Sequence, residues 1–125
     1  MSKRRSQMEH DSLVEMLADG LYSKDLKDIR ADVTGFHKPD KITLPGTDGG
    51  DVPDITAVGE KLIIYEIETP DSIFDEHTEG QWSLFASYAQ ENGAVFCVVV
   101  PPMCVADAKH RLNQLALTAQ VLTVP

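Results

Sequence analysis

The chain has few cysteines, no long apolar run and a deficit of positive charge, and each shortage excludes something. Its two cysteines, Cys97 and Cys104, provide none of the paired Cys or His spacings that a zinc site uses. Cys97, inside AVFCVVV, reads as a buried small hydrophobe. Cys104 follows two prolines at a helix start, where thiols are sometimes activated. Both are expected to be reduced structural thiols. No apolar stretch approaches the ~20 residues that cross a bilayer, so no membrane span is expected. The opening MSKRRSQMEHD has basic residues with no apolar segment behind them, unlike a secretory signal, and a cytoplasmic location is expected. With 11 Lys and Arg against 20 Asp and Glu, the formal net charge is −9. Proteins that grip a duplex usually carry a basic excess or stripe. Here there is only Lys3-Arg4-Arg5, which counts against tight nonspecific DNA binding by a monomer. It leaves a metal-dependent site open, because a bound cation cancels local negative charge.

What is present fits one domain. A length of 125 residues with 42% hydrophobic composition supports a single core. There is no repeat, no low-complexity tract and no long linker. Residues 1–10 read as a polar, flexible tail and 11–125 as one domain. A first helix is expected from about Asp11 to Tyr22, with Leu13, Met16, Leu17 and Leu21 as its apolar stripe and Ser12 with Glu15 as a capping box. Ile29 to Phe36 reads as a strand, with Lys41 to Leu44 extending its hairpin. PGTDGGDVP is a glycine-rich turn. Asp54 to Val58 and Lys61 to Glu68 read as strands joined at Gly59-Glu60. LIIYEIE is apolar on both faces, as a covered central strand should be. A helix follows from about Glu79 to Glu91, capped by Thr78 and Gln81 and stopped at Asn92-Gly93, with Trp82, Phe85, Ala86 and Ala89 inward. Then come a buried strand Ala94 to Val100, a helix Val105 to Ala116 and a last strand Gln120 to Val124. The order is α-β-β-β-α-β-α-β. The strand Ala94 to Val100 is expected beside, and parallel to, Lys61 to Glu68.

Chemistry concentrates in one hairpin. Along Lys61 to Glu68 the faces alternate, so Leu62, Ile64, Glu66 and Glu68 point one way. Two carboxylates thus replace apolar residues on one face of a central strand, which is costly unless a cation or another partner joins them. Asp54 and Glu66 lie at nearly the same distance, five and six residues, from the turn at Gly59-Glu60, which places them roughly opposite one another. Oxygens so placed suit a hard cation such as magnesium, able to activate water and stabilise a phosphate transition state. The bland alternative is a frayed, exposed strand end carrying two glutamates and no metal.

Pro53-Asp54, a hairpin and then Glu66-x-Glu68, set in an α-β-β-β-α-β order, resemble the PD-(D/E)xK nuclease superfamily. The resemblance covers about Leu13 to Val100. It implies an α/β, restriction-endonuclease-like three-layer fold with a central mixed sheet. It further implies Asp54, Glu66 and the backbone carbonyl of Ile67 as ligands of Mg2+ or Mn2+. Glu15 matches an acidic residue that many members carry on the first helix, with capping as its alternative. Gln81 resembles a helix glutamine followed by Tyr four residues on, although Phe85 stands at that place here. Glu68 departs from the family, which usually has lysine there to orient water and balance phosphate charge. Among substitutes for that lysine, Lys61 lies on the opposite face at the far end of its strand, and His77 near the second helix is better placed. Lysine at position 68 is expected to relieve repulsion from Glu66, leave the fold at least as stable and raise cleavage.

Two functions follow from the resemblance. One is a metal-dependent nuclease acting on nucleic acid phosphodiesters, with Glu68 as an added ligand or base. The other is a catalytically degenerate nuclease fold serving as a binding or assembly module. A cation-binding protein unrelated to nucleic acid is a third, weaker reading. A homodimer would lengthen the groove of so small a domain.

Overall fold

The computed structural model describes residues 2–46 and 49–123. Five strands form a mixed sheet in the order β1-β4-β5-β6-β7: Lys27–Ala31, Ile55–Val58, Leu62–Ile67, Val95–Val100 and Gln120–Thr123. β2 (Ile42–Thr43) and β3 (Gly50–Asp51) make a separate small antiparallel ribbon. β1, β4 and β5 are antiparallel neighbours, whereas β5, β6 and β7 run parallel. The expected parallel neighbour of the Glu66 strand is therefore present, with Glu66 level with Val98.

Strand alternation sorts the core into two faces. Ile64, Phe96, Val98 and Val100 pack against α2 (Glu76–Asn92) and α3 (Val105–Leu115). Tyr65, Ile67, Cys97 and Val99 pack against α1 (Ser2–Leu21). The result is three layers, with helices covering both faces of the sheet. Trp82 and Phe85, both fully buried on α2, anchor one face, and truncating either to Ala is worth ~3–5 kcal/mol. Cys97 and Cys104 are free and buried, as expected. Among the described residues no helix is long and apolar enough to cross a membrane.

Several boundaries differ from expectation. α1 begins at Ser2, so residues 2–10, read as a tail, belong to a 20-residue helix; Met1 lies outside the described residues. Its buried stripe is Val14, Ala18 and Leu21, while Met16 is exposed. Small side chains at 14 and 18 let the helix lie close to the sheet, and counting large apolar residues rotated the stripe away from them. Ser12 and Glu15 fall inside this helix, so they cap nothing. β1 ends at Ala31, well before Phe36, because Gly35 takes a positive φ in the turn that follows. Lys41 to Leu44 contributes to the separate ribbon through Ile42 and Thr43, and Thr47 and Asp48 of the glycine-rich turn lie outside the described residues. α2 starts at Glu76 with Asp75 as its cap, accepting from the His77 N–H at 3.4 Å, in place of a Thr78–Gln81 box. Its end is as expected, at Gly93 with φ 68°. Val124, read as the end of the last strand, lies outside the described residues.

Candidate functional site

The register of the β4–β5 hairpin pairs Ile55 with Tyr65. One step further out, Asp54 faces Glu66, and the Asp54 N–H donates to Glu66 Oε1 at 3.0 Å. Asp54 Oδ2 accepts from the Ile67 N–H at 2.8 Å. The two carboxyls are thus locked across the hairpin by backbone donors, because buried Pro53 and the pleat fix where residue 54 starts. Both lie at the mouth of a cavity of about 550 Å³ whose lining includes Gln7, His10, Ile67, Ser72 and Gln81.

Glu66 is only 3% exposed. Burial, then repulsion from Asp54 and Glu68, raises its pKa well above the ordinary carboxylate range. Glu68 is equally buried, at 4% exposure, but has partners. Trp82 Nε1 donates to its Oε2 at 2.9 Å and the Ser72 hydroxyl to its Oε1 at 2.6 Å. Burial still pushes its pKa up to about 7, against the pull of those two donors. The exposed strand end of the bland alternative is therefore absent. These two bonds weigh against the expectation that lysine at 68 would be tolerated. An ammonium there could not accept from the Trp82 N–H, which would lose its partner.

His10 is the residue that sequence reasoning missed. Its Nε2 lies 3.1 Å from Asp54 Oδ2 and its Nδ1 3.1 Å from Asp11 Oδ1. Burial lowers its pKa, but the hydrogen bond and charge of Asp54, followed by those of Asp11, override this and carry it up to about 9. At neutral pH both ring nitrogens donate, and His10 is the cation beside the cluster. A signal did exist: Gln7, His10, Val14, Ala18 and Leu21 follow one helical face, so the buried stripe of α1 continues into the site. Assigning residues 1–10 to a tail hid it.

The other expected residues divide. Gln81 lines the cavity, half-buried. His77 reaches the cavity rim but is exposed. Glu15 is not in the site: it is exposed and borders a separate concavity with Asp11, Asp32 and Lys38. It faces that way because it sits more than one turn beyond His10, on a different side of α1. Ile67 lines the cavity, and its N–H is committed to Asp54.

Among the described residues no three His, Cys, Asp or Glu side chains are arranged as a ready metal cage. Magnesium does not need one, since it commonly uses one or two carboxylates and keeps several waters. Two hard carboxyl groups in a cavity wall, one of them raised by burial and then by repulsion, match that donor chemistry. No family model, no curated protein and no solved structure matches the chain. The geometry therefore defines the site by itself: a mixed α/β sheet carrying an Asp–Glu pair, a second, pinned glutamate and an imidazolium.

Proposed function

We infer that the chain is a PD-(D/E)xK-type protein with a restriction-endonuclease-like fold, and that its site hydrolyses nucleic acid phosphodiester bonds with Mg2+ or Mn2+. The observation that carries this reading is Asp54 facing Glu66 across a hairpin whose second strand has a parallel neighbour reached through α2. Asp54, Glu66 and the carbonyl of Ile67 would hold the ion. When bound, it supplies water activation and charge stabilisation at the phosphate. The chain's own residues do the rest. His10 fixes Asp54 Oδ2 and offsets its charge. Glu68 ties β5 to Trp82 and to the Ser72 turn, forming a rigid wall of the cavity. Gln81 offers an amide to the substrate from α2.

A degenerate, binding-only role is the second reading. Glu68 is committed to structural bonds, and among the described residues the cavity lining has no lysine or arginine. One experiment separates the two. Millimolar Mg2+ or Mn2+ should raise the melting temperature, since a ligand of the folded state alone stabilises it, and should switch on cleavage of a mixed panel of single-stranded, duplex and branched substrates. Asp54→Asn should remove both effects. A melting shift without cleavage supports the binding role. No shift and no calorimetric heat with either ion would overturn the metal site.

A further inference from the structure

Beside the site lies a feature the hydrolytic reading does not use. Phe74 sits in the turn between Ser72 and Asp75, both of which line the cavity. Phe74 is 51% exposed, whereas its neighbour Ile73 is buried among apolar partners. The Arg111 guanidinium, from α3, stands over the ring at 5.9 Å from its centroid, near the outer limit for a cation–π contact. Arg111 itself is under-used. Its Nη2 makes one long bond, 3.3 Å, to Glu79 Oε2, and its Nε is buried with no partner among the described residues. Arginine is the side chain best suited to a phosphate, through a planar fork of donors.

We propose that Phe74 and Arg111 form a substrate platform at the rim of the site, taking one unpaired nucleobase on the open face of the ring and its neighbouring phosphate on the guanidinium. Three observations converge on that ligand. The ring has a half-exposed face next to the cavity. The guanidinium braces it and makes a single long bond, to Glu79, among the described residues. Among the described residues, the cavity lining offers an anionic strand no lysine or arginine of its own. Stacking tolerates any base but requires one that is not already paired and stacked in a duplex. The preferred substrate is therefore a single strand, an overhang or a frayed end, consistent with an acidic chain that cannot grip a long duplex electrostatically.

The inference rests on the nucleic-acid reading above, and one binding series tests both separately. A dye-labelled single-stranded DNA oligonucleotide and a hairpin duplex of matched composition are titrated by fluorescence anisotropy, with Ca2+ in place of Mg2+. Wild type should prefer the single strand. Phe74→Ala should weaken single-strand binding about tenfold and leave duplex binding within twofold. Phe74→Trp should restore it, while Phe74→Leu, apolar but without a ring, should not. Arg111→Gln should lower the dependence of log affinity on log salt by roughly one contact. Circular dichroism melts confirm that each variant is folded; the half-exposed position of Phe74 makes its three variants safe in this respect. If wild type binds the single strand and Phe74→Ala binds equally well, or if Phe74→Leu restores binding, the platform is overturned and the hydrolytic reading stands. If wild type binds neither probe, both fall.

Discussion

Glu66 and Glu68 are the same residue type, two positions apart at the end of β5 and just beyond it, and almost equally buried. They nevertheless do opposite things. Glu66 faces Asp54 and receives one backbone donor, and its excess charge is answered only by His10 at one remove. Glu68 faces α2 and is satisfied by an indole N–H and a hydroxyl. A buried carboxylate is therefore not by itself a sign of function. What separates a ligand from a brace is whether its hydrogen bonds are already made. Glu66 is left with repulsion from its neighbours, whereas the bonds of Glu68 to α2 and to Ser72 are made.

The sharpest way to break this contrast is to exchange charge at the closed position. Glu68→Lys should destabilise the fold by ~3–5 kcal/mol, because it buries an ammonium and leaves the Trp82 N–H unpaired. Urea unfolding followed by the fluorescence of Trp82, the single tryptophan, measures it. Stability equal to wild type would mean that Glu68 is a displaced lysine position after all. At the open position the sign reverses. Glu66→Gln keeps the acceptor for the Asp54 N–H but removes the repulsion, so it should be neutral or stabilising by about 1 kcal/mol in metal-free buffer. The same variant should lose the melting shift produced by Mg2+. A large loss of stability in EDTA would show that Glu66 is a brace like Glu68.

Acidity provides a smaller and graded test. The His10 pKa is raised from 6.5 to about 9, so its stabilising contribution is complete below 6.5 and is lost as pH rises through 9. Glu68 is raised from 4.5 to about 7, so the folded state holds its proton longer and stability again falls as pH rises across that window. Both act in one direction. The metal-free protein should melt on the order of 5 °C higher at pH 5 than at pH 9, and His10→Gln should flatten the slope above pH 6.5. A profile that rises with pH would contradict the assigned charges. The smallest effect belongs to Glu15→Ala, exposed and outside the cavity. It should change stability by no more than ~0.5 kcal/mol and leave metal binding and cleavage untouched. A loss of metal binding would return Glu15 to the site.

The chain's own pattern determined the mixed α/β order, the two faces of β5 and the opposition of Asp54 to Glu66. These follow from periods of two and 3.6 and from counting outward from a tight turn, all of which are local. Gln81 was marked by the family resemblance alone, and α2 carries it to the cavity lining. Packing between distant segments decided the rest. His10 reaches Asp54 only when α1 lies on the sheet with Val14 and Ala18 against it, a contact spanning 44 residues. Glu68 meets Trp82 only when α2 docks, which converts an apparent second ligand into a brace. Glu15 leaves the site because the angle of a residue about the helix depends on which stripe is buried, and Ala18 decided that more than the larger leucines did. Periodicity shows which residues share a face; hydrogen bonds between elements determine whether a buried charge is already satisfied, and no local pattern encodes them.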